Sequence, residues 1–279
     1  MSTVFVFGLS GQVGEALAPR SLAQFGAMDA LSRYPRDAMP GVHWLAGSLE
    51  HMPQDGAMAH DILISLGPLD AFALWYCNAR PAASRIVALG STGLRDKSDS
   101  SDPGERELSQ RLADAEASLF EAGRHGGAAI TVLRPTLLYG SGRDRSLTPL
   151  IALARRWKIL PMPSTAKGLR QPVHVEDVAV AILACLDAPA ELIAGRAFDL
   201  PGGEVLAFDA MVRRSLERHA PGSRVLVLPV FAFRVLAWIA GRLGKGPAPG
   251  SLSRLAANQT ADAAPAHRAF GYQPGPFRP

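Results

Sequence analysis

Of the 29 basic residues in this 279-residue chain only four are lysines, Lys97, Lys158, Lys167 and Lys245, which leaves 25 arginines. Tyrosine is as scarce, confined to Tyr34, Tyr76, Tyr139 and Tyr272. A chemistry that needs one Tyr beside one Lys therefore has few positions to use. The two cysteines, Cys77 and Cys185, are far apart and form neither a CxxC nor a Cys/His cluster. That excludes a disulfide framework, gives no reason to expect a metal, and makes a reducing compartment the default. The start, "MSTVFVFGLSGQVG", lacks the basic region of a signal peptide, and its apolar run stops at Gly8. No stretch reaches the roughly 18 uninterrupted apolar residues of a transmembrane segment. The nearest, Val225–Gly241, is broken by Pro229 and Arg234. The expectation is a cytoplasmic protein.

Charge of one sign is also missing. The net charge is +4, and although the pI is near 9.4 the excess is small and spread along the chain. No basic run or aromatic-basic interleaving marks a nucleic-acid partner, so none is expected. What is present is an apolar fraction of 48%, enough for a well-buried core and too high for a disordered chain. The length fits one large domain or one and a half.

The first half alternates strand-like and helix-like segments. Strand patterns fall at Val4–Phe7, Met28–Ser32, Val42–Ala46, Asp61–Leu66, Arg85–Leu89 and Ala129–Leu133. Helical spacing falls at Gln12–Phe25, Leu69–Asn78 and Glu105–Ala122, and the polar stretch Asp96–Gly104 reads as a surface loop. Repeated βα units with nearly continuous apolar strands predict an α/β fold: a Rossmann-like, doubly wound parallel sheet with helices on both faces. After Pro135 the pattern loosens. Helices are expected at Leu147–Trp157 and Val178–Leu186, with a short strand and turn at Phe198–Gly203. Phe231–Leu243 is apolar on most faces, which predicts a buried helix. An exposed version would suggest a partner surface or a membrane-surface patch. The tail Asn258–Pro279 is expected to wrap the surface. No internal repeat is visible.

Gly8-Leu9-Ser10-Gly11-Gln12-Val13-Gly14 follows the first strand and opens the first helix. Gly8 permits a tight turn, Gly11 lets backbone approach a pyrophosphate, and Gly14 lets helix and strand pack closely. Phosphates would then lie at a helix N-terminus, where free N–H groups and the dipole favour anions. Ser10, Gln12 and Val13 complete the candidate cradle. The spacing is GxxGxxG, not the GxGxxG of the dinucleotide fingerprint, and a turn without a ligand is the plain alternative. Cofactor choice is read at the end of the second strand, about 20 residues further on, where an acid would bind the ribose 2′-hydroxyl of NAD. Ser32 and Arg33 stand there instead. A hydroxyl and a guanidinium suit a 2′-phosphate, which favours NADP(H), with NAD the alternative.

Five motifs occur in one order: "GLSGQVG" at 8–14, "ALGSTGL" at 88–94, "LRPTLLYG" at 133–140, "GLRQPVHVEDVAVAI" at 168–182 and "FGYQPGPF" near the end. Together they resemble the extended short-chain dehydrogenase/reductase superfamily, in its NAD-dependent epimerase/dehydratase group. "GSTG" before a polar loop, and a helix containing "AEASL", look like the atypical branch. That branch holds reductase-like proteins and a Rossmann-fold accessory subunit of respiratory complex I. The resemblance implies an NAD(P)-binding core over 1–135. It also implies a smaller, interleaved substrate-binding region over 136–279, closing over a small molecule such as an anionic nucleotide-sugar. It places Leu66, Gly67 and Pro68 beside the adenine ribose and phosphates, and Pro135 and Thr136 on the nicotinamide side. Tyr139, Arg143 and Arg170 become candidate substrate contacts, Arg170 foremost because a guanidinium can pair bidentately with an anion.

In active members of this superfamily a Ser or Thr works with a Tyr-x-x-x-Lys pair, whose four-residue spacing places both on one helix face. Ser91 and Thr92 occupy the hydroxyl position. The following helix holds neither Tyr nor Lys; aligned on Glu116, Leu108 and Leu112 stand where the pair would be. Tyr76 with Arg80 follows the wrong strand, Tyr139 with Arg143 lies in a glycine loop, and arginine is a poor proton shuttle. Lys97 reads as a solvated loop cation. His174, Glu176 and Asp177 read as helix-start residues more readily than as acids or bases. Two functions follow: hydride transfer on a nucleotide-sugar or other small carbonyl or hydroxyl compound, or a catalytically silent NADP(H)-binding redox sensor or assembly factor. The oligomeric state is not legible.

Overall fold

The computed structural model describes residues 2–53, 57–96, 102–144, 146–242 and 251–279. Lys97 and positions 97–101 of the polar loop lie outside the described residues. The first half runs β1 (Val4–Phe7), α1 (Gln12–Phe25), β2 (Met28–Ser32), β3 (Val42–Ala46), β4 (Ile62–Ser65), α2 (Leu69–Ala79), β5 (Arg85–Leu89), α3 (Gly93–Asp96), α4 (Pro103–Gly126) and β6 (Ala129–Pro135). Then come β7 (Leu138–Tyr139), α5 (Leu147–Trp157), β8 (Ile159–Pro163), β9 (Leu169–Arg170), β10 (Val173–His174), α6 (Val175–Asp187), α7 (Ala190–Ile193) and β11 (Arg196–Leu200). The chain ends with β12 (Leu206–Ala207), α8 (Phe208–His219), β13 (Arg224–Leu228), α9 (Val230–Arg242), α10 (Ser251–Ala256) and α11 (Ala264–Phe270).

The main sheet has seven strands in the order β11-β6-β5-β4-β1-β2-β3, and every pairing in it is parallel. β1 shows why the strands read as unbroken apolar runs. Its residues alternate between faces, and both faces are covered. Val4 and Val6 join a core with Leu17 of α1 and Ile182 of α6. Phe5 and Phe7 join the opposite core with Phe72 of α2 and Leu119 of α4. Burying each such side chain contributes on the order of 2–3 kcal/mol. The Rossmann-like expectation is therefore met. α4 is longer than its apolar periodicity suggested because its ends are capped by polar and glycine chemistry. Asp102 accepts from the Gly104 N–H at 2.9 Å, Pro103 stands in the first turn, and Gly127 closes the helix at φ 74°.

The second half returns to the main sheet through β11, which pairs with β6, and builds a third core beside it. Two expectations change here. The tail does more than wrap the surface: Ala266, Tyr272 and Phe277 are buried, and the Tyr272 hydroxyl donates to the Pro201 carbonyl at 2.8 Å. α9 is not buried. Phe231 is 74% and Trp238 60% exposed, because no described element covers the outer stripe of this helix.

Candidate functional site

β1 lies between β4 and β2, so the strand order reverses direction there and leaves a crevice at the carboxyl ends of β1 and β4. Gly8 opens that crevice at φ 81°, a left-handed value that suits glycine. A Cβ on Gly8 would press at 3.2 Å on the backbone of Leu66 and Gly67. The Gly11 N–H donates to the Gly8 carbonyl at 2.9 Å and closes the turn. Gly11 is also the N-cap of α1 and offers no side-chain acceptor, so the first-turn amides have no cap. A Cβ on Gly14 would overlap the Leu9 carbonyl, which holds the start of α1 against the turn. The result is a backbone cradle with the positive end of a helix dipole behind it.

The neighbouring loops complete the crevice. The Leu66 N–H donates to the Phe7 carbonyl at 2.8 Å, and Pro68 is the N-cap of α2. Ser65, in register with Phe7, is buried, and its hydroxyl has no partner among the described residues. At the end of β2 the Ser32 hydroxyl donates to the Tyr34 carbonyl at 2.8 Å and accepts from Arg36 Nε at 3.1 Å. Arg33 is exposed beside it, its guanidinium 6.0 Å from the Tyr34 ring centre. Arg36 was not singled out from the sequence. A second cation four residues after Ser32 was the signal available.

Ser91 and Thr92 follow β5. The Ser91 hydroxyl accepts from the Gly93 N–H at 3.1 Å, and the Thr92 N–H donates to the Pro135 carbonyl at 3.4 Å. Thr92 and Pro135 are thus brought together. Behind them Glu116 of α4 and Arg134 of β6 form a paired contact, with Nε to Oε1 at 2.8 Å and a second bond from Nη2 to Oε2. Their side chains are 5% and 17% exposed, and a Cβ on Gly90 would stand 3.2 Å from Glu116 Oε1. α4 contains neither Tyr nor Lys, and Leu112 packs against the core.

The loop after β7 crosses the glycine turn. Arg143 pairs with Glu15 of α1 and donates to the Ser10 carbonyl at 3.1 Å. The Ser141 hydroxyl donates to Gln12 Oε1 at 3.1 Å. A cleft of about 400 Å³ opens there, lined by Gln12, Thr136, Leu138, Arg143, Asp144 and Ser146. Arg143 accordingly stands over the glycine turn at the edge of this cleft.

The other two expected substrate contacts are committed internally. Arg170 is only 3% exposed; its guanidinium donates to the carbonyls of Leu169, Ala257 and Arg254 at 2.8, 2.7 and 2.6 Å and lies over the Phe208 ring. It braces the tail where an open anion site was expected. Tyr139 is buried between His174 and Phe277, its hydroxyl accepts from the Arg278 N–H at 3.1 Å, and burial raises its pKa. His174 takes the capping role, with Nδ1 accepting from the Glu176 N–H at 3.2 Å. Asp177 instead holds the tail, accepting from the Gly275 N–H at 3.0 Å.

The fold and the crevice define a Rossmann-type α/β protein. Residues 113–200 match the NAD dependent epimerase/dehydratase family, which agrees with the resemblance carried by the motifs. The UDP-glucose 4-epimerase of Vibrio cholerae is 22% identical over 130 residues, 47% of this chain and 39% of that protein. Subunit 9 of the mitochondrial NADH dehydrogenase [ubiquinone] 1 alpha subcomplex of Arabidopsis thaliana is 32% identical over 119 residues, 43% of this chain and 29% of that protein. The likeness therefore spans well under half the length of these curated relatives. Among solved structures, the NAD-dependent NDP-hexosamine 5,6-dehydratase TunA superposes with a TM-score of 0.71 at 15% identity, covering 100% of this chain and 94% of that one. The Bordetella bronchiseptica enzyme WbmF, in complex with NAD+ and UDP, gives 0.68 at 16% identity, covering 97% and 86%. Among the described residues no helix is long and apolar enough to cross a membrane.

Proposed function

We propose that the protein binds NADP(H) in the crevice between β1 and β4. The observation that carries this is the joint placement of an uncapped helix start at Gly11–Gly14 and of Ser32, Arg33 and Arg36 at the end of β2. The amides of the first turn of α1, with Arg143 above them, hold the pyrophosphate. Ser32, Arg33 and Arg36 take the 2′-phosphate. Leu66, Gly67 and Pro68 flank the adenosine, and Pro135 with Thr136 borders the nicotinamide. When bound, the nicotinamide supplies a hydride donor or acceptor. Residues 1–135 form most of the cofactor core, and 136–279, interleaved with it through α6 and β11, supply the region that closes over the substrate, in a cytoplasmic setting.

Catalytic silence, as a redox sensor or assembly factor, is the reading this geometry supports best. α4 offers no proton-transfer pair, and Tyr139 and Arg170 are bonded internally. A second reading, hydride transfer on an anionic nucleotide-sugar, is favoured by the UDP named with the structural neighbour WbmF. In that reading Thr92 and Ser91 supply the hydroxyl beside the substrate. Calorimetric titration with NADP+, NADPH and NAD+ tests the binding, and absence of heat with both NADP forms overturns it. Hydride transfer from NADPH across a panel of nucleotide-sugars and small carbonyl compounds then separates the readings. Silence with tight binding supports the sensor; turnover abolished by Thr92→Val supports the enzyme.

A further inference from the structure

The uncovered face of α9 is continuous with α5, β8 and β13: β13 pairs in parallel with β8, and both α5 and α9 pack on β8. Its outward side chains include Trp157, Ile159, Leu226, Phe231, Val235 and Trp238, all between 49% and 74% exposed. Phe231, Val235, Trp238 and Arg242 recur at helical spacing, so they form one stripe along α9. A contiguous apolar face of this kind marks an interaction surface.

Charge identifies the partner. In the sequence, the stretches 145–175 and 220–261, which contain the elements of this face, have no Asp or Glu. Arg155, Arg156, Lys158, Arg224, Arg234 and Arg242 are all exposed there. Acids reach these stretches from elsewhere at three places, none of them on α9: Glu217 of α8 lines a cleft with Arg224, Asp209 of α8 pairs with Lys167, and Glu105 of α4 pairs with Arg254. Two guanidiniums lie over the exposed indoles, Arg242 at 4.4 Å from the Trp238 ring centre and Arg156 at 5.8 Å from that of Trp157. A second copy docked through the same face would set these cations against one another with little acid to offset them. A bilayer rich in anionic lipid meets both halves of the pattern. Trp and Phe enter the headgroup boundary, while arginine stems lie along them and their charges reach phosphate.

We propose that this face docks the protein on an anionic lipid surface, with α9 lying in the plane of the interface. The test is co-sedimentation of the full chain with phosphatidylcholine vesicles and with vesicles containing about 30% phosphatidylglycerol. Binding is expected on the anionic vesicles and at least about tenfold weaker on the neutral ones, with a steep loss in high salt. Trp238→Glu should abolish pelleting, and Arg234→Glu with Arg242→Glu should weaken it. Unchanged thermal melts of these exposed-site variants, and unchanged nucleotide affinity, would separate lost docking from lost folding. No pelleting on anionic vesicles overturns the proposal, as does pelleting that Trp238→Glu leaves intact. A stable dimer that Trp238→Glu dissociates, without vesicle binding, assigns the face to a second copy and equally overturns it.

Discussion

Removing the Arg36 guanidinium should lower the affinity for NADP+ and leave that for NAD+ alone. Arg36 is held by Ser32 at 3.1 Å, at the strand end where a ribose 2′-substituent would lie. Charge-assisted hydrogen bonds are worth about 1.5–3 kcal/mol when shielded. Arg33 and Arg36 are both exposed, so solvent screening reduces each contact to about 1 kcal/mol. Arg36→Ala should therefore weaken NADP+ about fivefold, and the double variant Arg33→Ala, Arg36→Ala about thirtyfold, since every 1.4 kcal/mol is about tenfold. Affinity for NAD+ should stay within about twofold in both, because neither side chain meets a group that NAD+ has. Raising the salt concentration should shrink the wild-type preference and leave the double variant flat. Calorimetry with both nucleotides reads each of these numbers. An unchanged NADP+ to NAD+ ratio in the double variant refutes the placement of the 2′-phosphate. An equal loss for both nucleotides would show damage to the crevice and refute it as well.

Three further outcomes follow from contacts elsewhere in the site. Gly14→Val forces a side chain into the Leu9 carbonyl, so it should abolish nucleotide binding and lower the melting temperature by several degrees, seen by calorimetry and thermal scanning. Arg170→Lys keeps the charge and loses the planar fork that reaches three carbonyls; it should cost about 2–3 kcal/mol in urea unfolding, and a change under 0.5 kcal/mol would remove its bracing role. Burial pushes the Cys185 thiol from 9.0 up to about 12. Its raised folded value means that its contribution is present below pH 9 and is lost as pH rises toward 12. The wild type should therefore lose more urea resistance between pH 9 and 11 than Cys185→Ala does; parallel losses would acquit the thiol.

Legibility followed the length of the repeating pattern. β1, α1, β2, β3 and β5 begin and end where their apolar periodicity placed them, because each is a full strand or helix with its pattern unbroken. β7, β9, β10 and β12 are two-residue ladders, too short to carry a period, and β8 is spelled ILPMP, whose prolines read as non-strand. The exposure of α9 was illegible for a different reason. A helix apolar on most faces carries no polar stripe to say which side is wet, and only tertiary contacts decide. The glycine turn was legible from its spacing after the first strand, whereas Leu66, Gly67 and Pro68, which the structure sets against Gly8, were singled out only through the resemblance to the superfamily. Arg170 was not, since its partners are carbonyls of Ala257 and Arg254, more than 80 residues away.

The proton-transfer question falls at the edge of the stretch that matches the family. The match runs over residues 113–200 and so begins one residue beyond Leu112. It retains Glu116 and Arg134, the pair that fixes α4 against the ends of β5 and β6. Such a nearly buried pair is costly to break by removing one partner, about 3–5 kcal/mol, which ties α4 firmly in position. The scaffold that would present a proton-transfer pair is thus in place, and the resemblance puts Leu108 and Leu112 where that pair would be. The glycine turn lies outside the matched stretch too, yet the cofactor binding proposed for it does not depend on side chains that could be replaced. It depends on amides left free by Gly11, on a left-handed Gly8 and on the close packing of Gly14. Backbone-borne cofactor binding and side-chain-borne proton transfer can therefore part company within one fold, and the function proposed for this chain divides its residues along that line.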